Sequence, residues 1–474
     1  MKTPNGIDRL KEGLPLYQDI DVPFGSNRII GTETEYGFEE TNPIPLPCFP
    51  GFVENGGRIY RDNAYHIEWC TPETKSPADA SAFEKAGDLL CLRFAKRLFK
   101  NIVDTNNECW GAHESYSSTE KAEALIPELP FLITRQIMTG AGRHKSGSYA
   151  LSQRSPFVNY VLNASAQKNA RGIICIKDEK LSDLPRLFRI HLVLGDANRN
   201  PLTTFLKLGT TSLVLDLKEM GRAPKIRYDD KVAILDYRNI GSTTDLNRWF
   251  LDGTKDRMHA IEVQQIYCDA AKRELYKRDQ QTRDIIDLWQ DSLFKLEKNL
   301  NSLAGRLDWI KKREIIEAYA RLHNIPSDKR LMSPDEMLIL EGVDIEYHIV
   351  GGRDEELTFD SFKRQGDLES LFPEEIILKC TTTPPKSTRA FARSRAIKSL
   401  ARVGKGLLER CYIDCFNDNG EYWSTCEIPS KTGEIRRINM GNPFDTYRKV
   451  VLAWEDFNKT NSPNSTFPFS PQPI

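Results

Sequence analysis

The sequence predicts an α+β protein. Strand-like segments rich in β-branched and aromatic residues alternate with segments that place apolar residues every three or four positions. A shorter block beginning near residue 401 repeats the mixture and reads as a small α+β domain. The chain has 474 residues, enough to bury a large core without disulfide or metal staples.

Composition removes several classes. Lys plus Arg is 66 and Asp plus Glu is 67, so the formal net charge is −1 and a globally basic nucleic-acid binder is excluded. The 22 Phe, 16 Tyr and 7 Trp are too many for a disordered polyampholyte. No apolar run reaches membrane-spanning length, and the first 25 residues lack a signal-peptide core. A cytoplasmic protein with no nucleic-acid or membrane partner is expected. The ten Cys are scattered, with only Cys411 and Cys415 close together, and read as reduced thiols.

Residues 1–26, polar and rich in Gly and Pro, read as an N-terminal arm. NRIIGTETEYGFE is a strand, and GGRIYRDNAYHIEWC is another with a bend near Asn63. Ser76 then caps a helix with Pro77 in its first turn, and Phe83, Ala86, Leu90, Phe94 and Leu98 mark its apolar face. WGAHESYS and RLFRIHLVLGDAN are further strands. LTTFLKLGTTSLVLDLKEMG is a buried helix despite Gly209, and long helices are expected over 260–299 and 304–322. The end block offers strands at CYIDCFND and EYWSTCEIP and a helix at PFDTYRKVVLAWEDF. Residues 458–474, rich in Pro, Ser and Asn, read as a disordered tail.

The chemistry lies in the first two strands. Alternate residues share a face, so Glu33 and Glu35 point the same way. Tyr60, Asp62, His66 and Glu68 would likewise share one face of an unbroken strand. Side by side, the strands gather four carboxylates and an imidazole, an oxygen-rich set that suits Mg²⁺ and, through it, a nucleotide phosphate. Arg58, Arg135, Arg154, Arg189 and Lys207 lie in or beside apolar segments, where a cation is held by a carboxylate or a phosphate. There is no GxxxxGK[ST] loop and no GxGxxG after a strand, and TGAGR at 139–143 lacks the third glycine. Metal-gripping carboxylates on a sheet suit activation of a carboxylate by ATP: an acyl phosphate forms and an amine displaces phosphate. A base must take the amine proton, and Asp62, beside the cluster, is the candidate.

These motifs resemble a known family. GTETEYG, NGGRIYRD, HIEW, KNIVDTNNECWGAHESY, PFLITRQIMTGAGR, LSQRS, RIHLVLGDANRN and LTTFLKLGTTSLVLDL are similar, in order, to segments of the Pup ligase and depupylase family, with fainter similarity at LDWIKKREII, DIEYH and PPKSTRA. The resemblance implies a glutamine-synthetase-like antiparallel sheet cradle backed by helices over residues 27–400, with a small domain over 401–457. It implies ATP and Mg²⁺ as cofactors, Glu33, Glu35 and Glu68 as metal-site carboxylates with Tyr60 and His66 flanking them, and Asp62 as the catalytic aspartate. His113, Arg189 and His191 match positions near the nucleotide and phosphate, to which the reading of the residues adds Arg58 and Arg135. The implied partners are a Pup-like modifier ending in glutamate and its lysine-bearing targets; no proteasome or unfoldase partner is readable. Glu35 and Asp62 are 27 positions apart, which leaves no room for the extra loop of the depupylases. The expected activity is therefore carboxylate–amine ligation, with depupylation or deamidation, or ligation of a small amino acid or peptide, as alternatives.

Overall fold

A computed structural model of the chain describes residues 6–39, 51–62, 64–165, 168–177, 182, 184–351 and 356–403, with short segments at 415–416, 422–423, 425–429, 435–439, 442–444 and 446. Most of the helix expected over 443–457 and of the 401–457 domain, together with the 458–474 tail, Cys411 and the 40–50 connection, lies outside the described residues. Two short antiparallel pairs are described in the end block, Cys415–Phe416 with Tyr422–Trp423 and Thr425–Pro429 with Ile435–Asn439.

One ten-stranded sheet organises the molecule. Its members are β1 (Ile30–Glu39), β2 (Gly51–Phe52), β3 (Arg58–Arg61), β4 (Ile67–Cys70), β5 (Arg97–Phe99), β6 (Ala112–Ser118), β9 (Tyr160–Asn163), β10 (Gly172–Cys175), β11 (Phe188–Leu192) and β12 (Ile349–Val350); β7 (Arg143–Lys145) and β8 (Ser148–Ala150) form a separate hairpin. The order is β2-β3-β4-β1-β6-β11-β10-β9, and β5 joins the far end of β1 to β12. Pairing is antiparallel except at one edge, where β9 and β10 run parallel, so the sheet is mixed rather than wholly antiparallel.

β1 shows how the sequence assigns the two faces. Its even residues turn to the helix Pro77–Cys91: the Thr34 hydroxyl donates to Glu84 at 3.2 Å and the Tyr36 hydroxyl to Asp88 at 2.8 Å. Its odd residues, Glu33 and Glu35, turn to the opposite face. Behind the sheet, the helix Pro77–Cys91 packs against Pro201–Glu219, which in turn packs on Gln280–Lys298. Ser76 caps the first of these by accepting from the Asp79 N–H at 3.2 Å, as expected. Gly209 is explained by packing, since a Cβ there would come within 2.8 Å of the Ile285 side chain.

Four expectations are corrected. The helix from Pro77 stops at Cys91, and Leu98 belongs to β5, because the chain turns back to pair with β1. The 260–299 helix is two helices, Ala260–Leu275 and Gln280–Lys298, separated where Asp279 caps the second by accepting from the Thr282 N–H at 2.9 Å. The helix expected from 304 begins at Asp308. The N-terminal segment is no loose arm over its described part: Leu10, Leu16 and Ile20 are buried in the main core, and the Tyr17 hydroxyl donates to Asp284 at 3.0 Å. No described helix is long and apolar enough to cross a membrane.

Candidate active site

The segment expected as one bent strand is a hairpin. β3 and β4 pair antiparallel, so Tyr60 lies opposite Glu68 and Arg58 opposite Cys70. The Asp62–His66 turn between them is built by Asp62 itself: its Oδ1 accepts from the N–H groups of Ala64 at 2.9 Å and His66 at 2.6 Å. Tyr65 accordingly takes a left-handed backbone, with φ of 70°. The hairpin brings together the residues that face alternation alone placed on one strand, through pairing rather than periodicity.

Register then aligns the site in rows. Glu68 lies opposite Glu35, and Cys70 opposite Glu33, across β4 and β1. Glu33 lies opposite His113 on β6, and Ser115 opposite His191 on β11. Tyr60, Glu68, Glu33, Glu35, His113, Arg189 and His191 therefore share one face. Gly111 keeps that face open, because a Cβ there would meet Glu35 Oε1 at 2.5 Å; its N–H donates to Glu35 Oε2 at 2.7 Å.

Two clusters of possible cation ligands result, Glu33 with His113 and His191, and Glu35 with Asp62 and His66. In the first, His113 Nδ1 and His191 Nε2 lie 3.3 and 3.5 Å from Glu33 Oε2, and Arg189 donates to Glu33 Oε1. In the second, His66 Nδ1 is 3.1 Å from Asp62 Oδ2 and 3.9 Å from Glu35 Oε2. Burial alone would raise the Glu33 pKa, but Arg189 and the two imidazoles hold it well below the usual range. Glu68 is pushed up to about 8, by burial first and then by Glu33 and Glu35. His191 is pulled down to about 4 by burial and by Arg189.

Beside these clusters lies a pocket lined by Gly31, Glu33, Arg58, Ser115 and Arg189, with Phe52 and Pro443 at its wall. Arg389 and Arg393, on the helix Arg389–Val403, complete it. The helix sits close because Gly56, at φ of 86°, has no Cβ to strike the Ala390 carbonyl, which would be 2.8 Å away. Glu73 orients both arginines. Arg389 Nε donates to it at 2.7 Å and Arg393 Nη1 at 3.2 Å, and together they hold Glu73 far below the carboxylate range although burial opposes them.

Arg58, Arg189, Glu33, Glu35, Asp62, His66, His113 and His191 lie at the clusters or the pocket, and Tyr60 and Glu68 share their sheet face through the β3–β4–β1 register. Arg135 does not. Its guanidinium donates to both Glu114 oxygens, at 2.8 and 2.6 Å, and to Thr211 at 2.6 Å inside the core, so it has no donor face for phosphate. Lys207 and Arg154 are also buried, on Asp196 O at 2.8 Å and on Trp110 O at 2.5 Å respectively. Arg393, Glu73 and Phe52 were not singled out from the sequence. The faint similarity at PPKSTRA, which includes Arg389, was the only pointer to that wall of the pocket.

The comparisons with known proteins agree with this geometry. The family model described as Pup-ligase protein matches residues 39–404. The chain is 31% identical over 371 residues to the depupylase of Acidothermus cellulolyticus, covering 73% of this chain and 71% of that protein. It is 29% identical over 437 residues to the Pup–protein ligase of Bifidobacterium dentium, covering 80% and 86%. Among solved structures, the complex of Pup with its ligase PafA matches with a TM-score of 0.76 and 26% identity over 92% of this chain and 93% of that one. PafA in complex with ADP matches with a TM-score of 0.72 and 27% identity over 86% and 90%. These relatives are carbon–nitrogen ligases and their hydrolytic kin. The chain belongs to the Pup ligase family.

Proposed function

We propose that the protein is an ATP- and Mg²⁺-dependent ligase that joins the C-terminal glutamate of a Pup-like modifier to a lysine amine of a target protein. The observation that carries this reading is the convergence of Glu33, Glu35, Asp62 and Glu68 on one face, next to a pocket lined by Arg58, Arg189, Arg389 and Arg393. The ADP-bound PafA relative supports a nucleotide in that pocket, and the PafA–Pup complex supports the modifier as substrate.

The donor set fits Mg²⁺. Hard carboxylate oxygens are crowded until one of them, Glu68, holds its proton up to about 8, and a divalent cation relieves that crowding. Glu33, Glu35 and Glu68 would hold it, with Tyr60 and His66 alongside, and when bound it neutralises phosphate charge. The chain's own groups do the rest. Arg58, Arg189 and Arg389 bind and orient the phosphates, while Arg393, spent on Glu73 and the Gly56 carbonyl, braces that wall of the pocket. The γ-phosphoryl group passes to the glutamate γ-carboxylate, releasing ADP. The lysine nitrogen then attacks the acyl carbon, phosphate leaves, and Asp62 accepts a proton from the nitrogen. We take residues 27–400 as the catalytic domain and 401–457 as an appended one; Pro443 at the pocket supports a part for the appended block in closing the nucleotide site.

The depupylase relative favours a second reading, hydrolysis of the same linkage with ATP retained as cofactor. The ligase reading is supported by the short Glu35–Asp62 connection and by the match, which covers 86% of the Bifidobacterium ligase but 71% of the depupylase. The test is incubation with ATP, Mg²⁺, a glutamate-ended Pup-like peptide and a lysine-bearing protein. Isopeptide product with one ADP per bond supports ligation. Cleavage of a preformed conjugate without net ATP consumption would replace it with depupylation. Turnover with free glutamate and small amines alone would remove Pup from the reading.

A further inference from the structure

Asp62 sits on a turn, and something must hold it and its imidazole still. The His66 ring, 3.1 Å from Asp62 Oδ2, stacks on the Trp110 indole with centroids 4.8 Å apart and 29° between the planes. Trp110 is 8% exposed and fixed through its backbone: its N–H donates to Ile102 O at 3.0 Å, and its carbonyl accepts from Arg154 Nη1 at 2.5 Å. The neighbouring Gly111 N–H is the one that donates to Glu35 at 2.7 Å, so this short segment touches both residues that cluster with Asp62, Glu35 and His66.

Arg154 is unusual. It is fully buried, and among the described residues no carboxylate lies within ion-pair distance of it. Its donors go instead to uncharged acceptors: Nε to Val193 O at 2.9 Å, Nη1 to Trp110 O and to Cys109 Sγ at 3.2 Å, and Nη2 to His113 Nε2 at 3.3 Å. A buried cation spent on carbonyls serves geometry rather than charge pairing. A guanidinium only donates, so His113 Nε2 must accept and the ring proton must sit on Nδ1, facing Glu33 Oε2 at 3.3 Å. One arginine thus touches His113 of the first cluster and, through the Trp110 carbonyl, the segment that contacts the second.

We propose that Trp110, held at its carbonyl by Arg154, is a positioning residue that holds His66 against Asp62, an inference that rests on the assignment of Asp62 as the base. The stack restricts rotation of the His66 ring, and the ring fixes the direction in which the Asp62 carboxylate presents its oxygen to the incoming amine. The indole N–H has no hydrogen-bond partner among the described residues, so what the site uses is the ring face. Phe at 110 keeps a ring to stack; Leu keeps apolar bulk without one.

The experiment compares Trp110→Phe, Trp110→Leu and Asp62→Asn in the ligation assay, each checked for folding by thermal melt. Trp110→Leu is expected to lower kcat roughly 10- to 100-fold with KM for ATP unchanged. Trp110→Phe should recover most of the loss, and Trp110→Leu added to Asp62→Asn should cost nothing more. An activity-free readout runs alongside: in ¹⁵N spectra of the histidine rings, Trp110→Leu should broaden the His66 signals while His113 stays protonated on Nδ1, and Arg154→Met should release the His113 tautomer. A dead Asp62→Asn with a fully active Trp110→Leu overturns the positioning role alone. Equal losses in the Phe and Leu variants also overturn it, because bulk rather than stacking would then matter. An active Asp62→Asn removes the base assignment on which the inference stands.

Discussion

The two faces of β1 carry opposite electrostatics. On the face turned to the helix Pro77–Cys91, Asp88 receives Lys85 at 2.9 Å, and Lys100 and Arg199 at 2.8 Å each. Asp360 is held by Arg199 at 2.6 Å and Lys85 at 3.2 Å. Burial alone would raise both carboxyls, but the cations outweigh it, driving Asp88 far down and Asp360 to about 2. On the cradle face, Glu68 is buried among Glu33 and Glu35 and is pushed up to about 8. The same residue type, a few ångströms either side of one strand, is over-satisfied behind the sheet and crowded by like charge in front. A closed network of that kind holds a fold together; a crowded one is what a cation and an arginine-steered polyanion would complete.

That contrast can be broken in order of effect. Asp62→Asn should reduce ligation by about 10²- to 10⁴-fold without moving the melting temperature, measured as isopeptide formed per unit time. Asp88→Ala should do the reverse. It leaves Lys85, Lys100 and Arg199 buried around a missing anion and should cost about 3–5 kcal/mol in urea unfolding; a loss near zero would mean the network is not structural. Glu68→Gln should weaken Mg²⁺-dependent nucleotide binding by about 10-fold or more in calorimetric titration while leaving the metal-free protein as stable or more so, since it relieves like-charge crowding. A destabilised metal-free Glu68→Gln would make the two faces alike.

The smallest effect is in the acid range. The folded pKa of Asp360 is depressed, so its contribution is complete above the unfolded aspartate value of about 3.9 and is lost as pH falls toward about 2. Asp360→Asn should flatten that part of the stability curve, followed by fluorescence-detected acid titration, and leave the curve above pH 5 parallel to that of the unmodified protein.

Much of the site was legible because strand alternation is local. Glu33 and Glu35 had to share a face whatever β1 paired with, and Ser76–Pro77 had to open a helix because cap chemistry involves only the first turn. Arg189 was singled out as a cation in an apolar segment, His113 and His191 by resemblance, and the sheet register sets all three on the face of Glu33. Apart from the break at the Asp279 cap, which is local, what failed depended on partners distant in sequence. The periodic signal from Phe83 to Leu98 crossed a helix end because Leu98 answers to β1, not to its own neighbours. Arg135 looked like a phosphate ligand because an arginine in an apolar run must be paired, but the sequence does not say with what; the fold supplies Glu114. Arg393 and Glu73, some 320 positions apart, carry no local pattern at all, and only the close approach at Gly56 makes them one wall of a pocket. The sequence by itself determined which side chains share a strand face and where the 77–91 helix begins, because those depend on backbone geometry over a few residues. The tertiary structure alone decided which buried charges meet, because pairing register and helix docking are set by contacts across the whole chain.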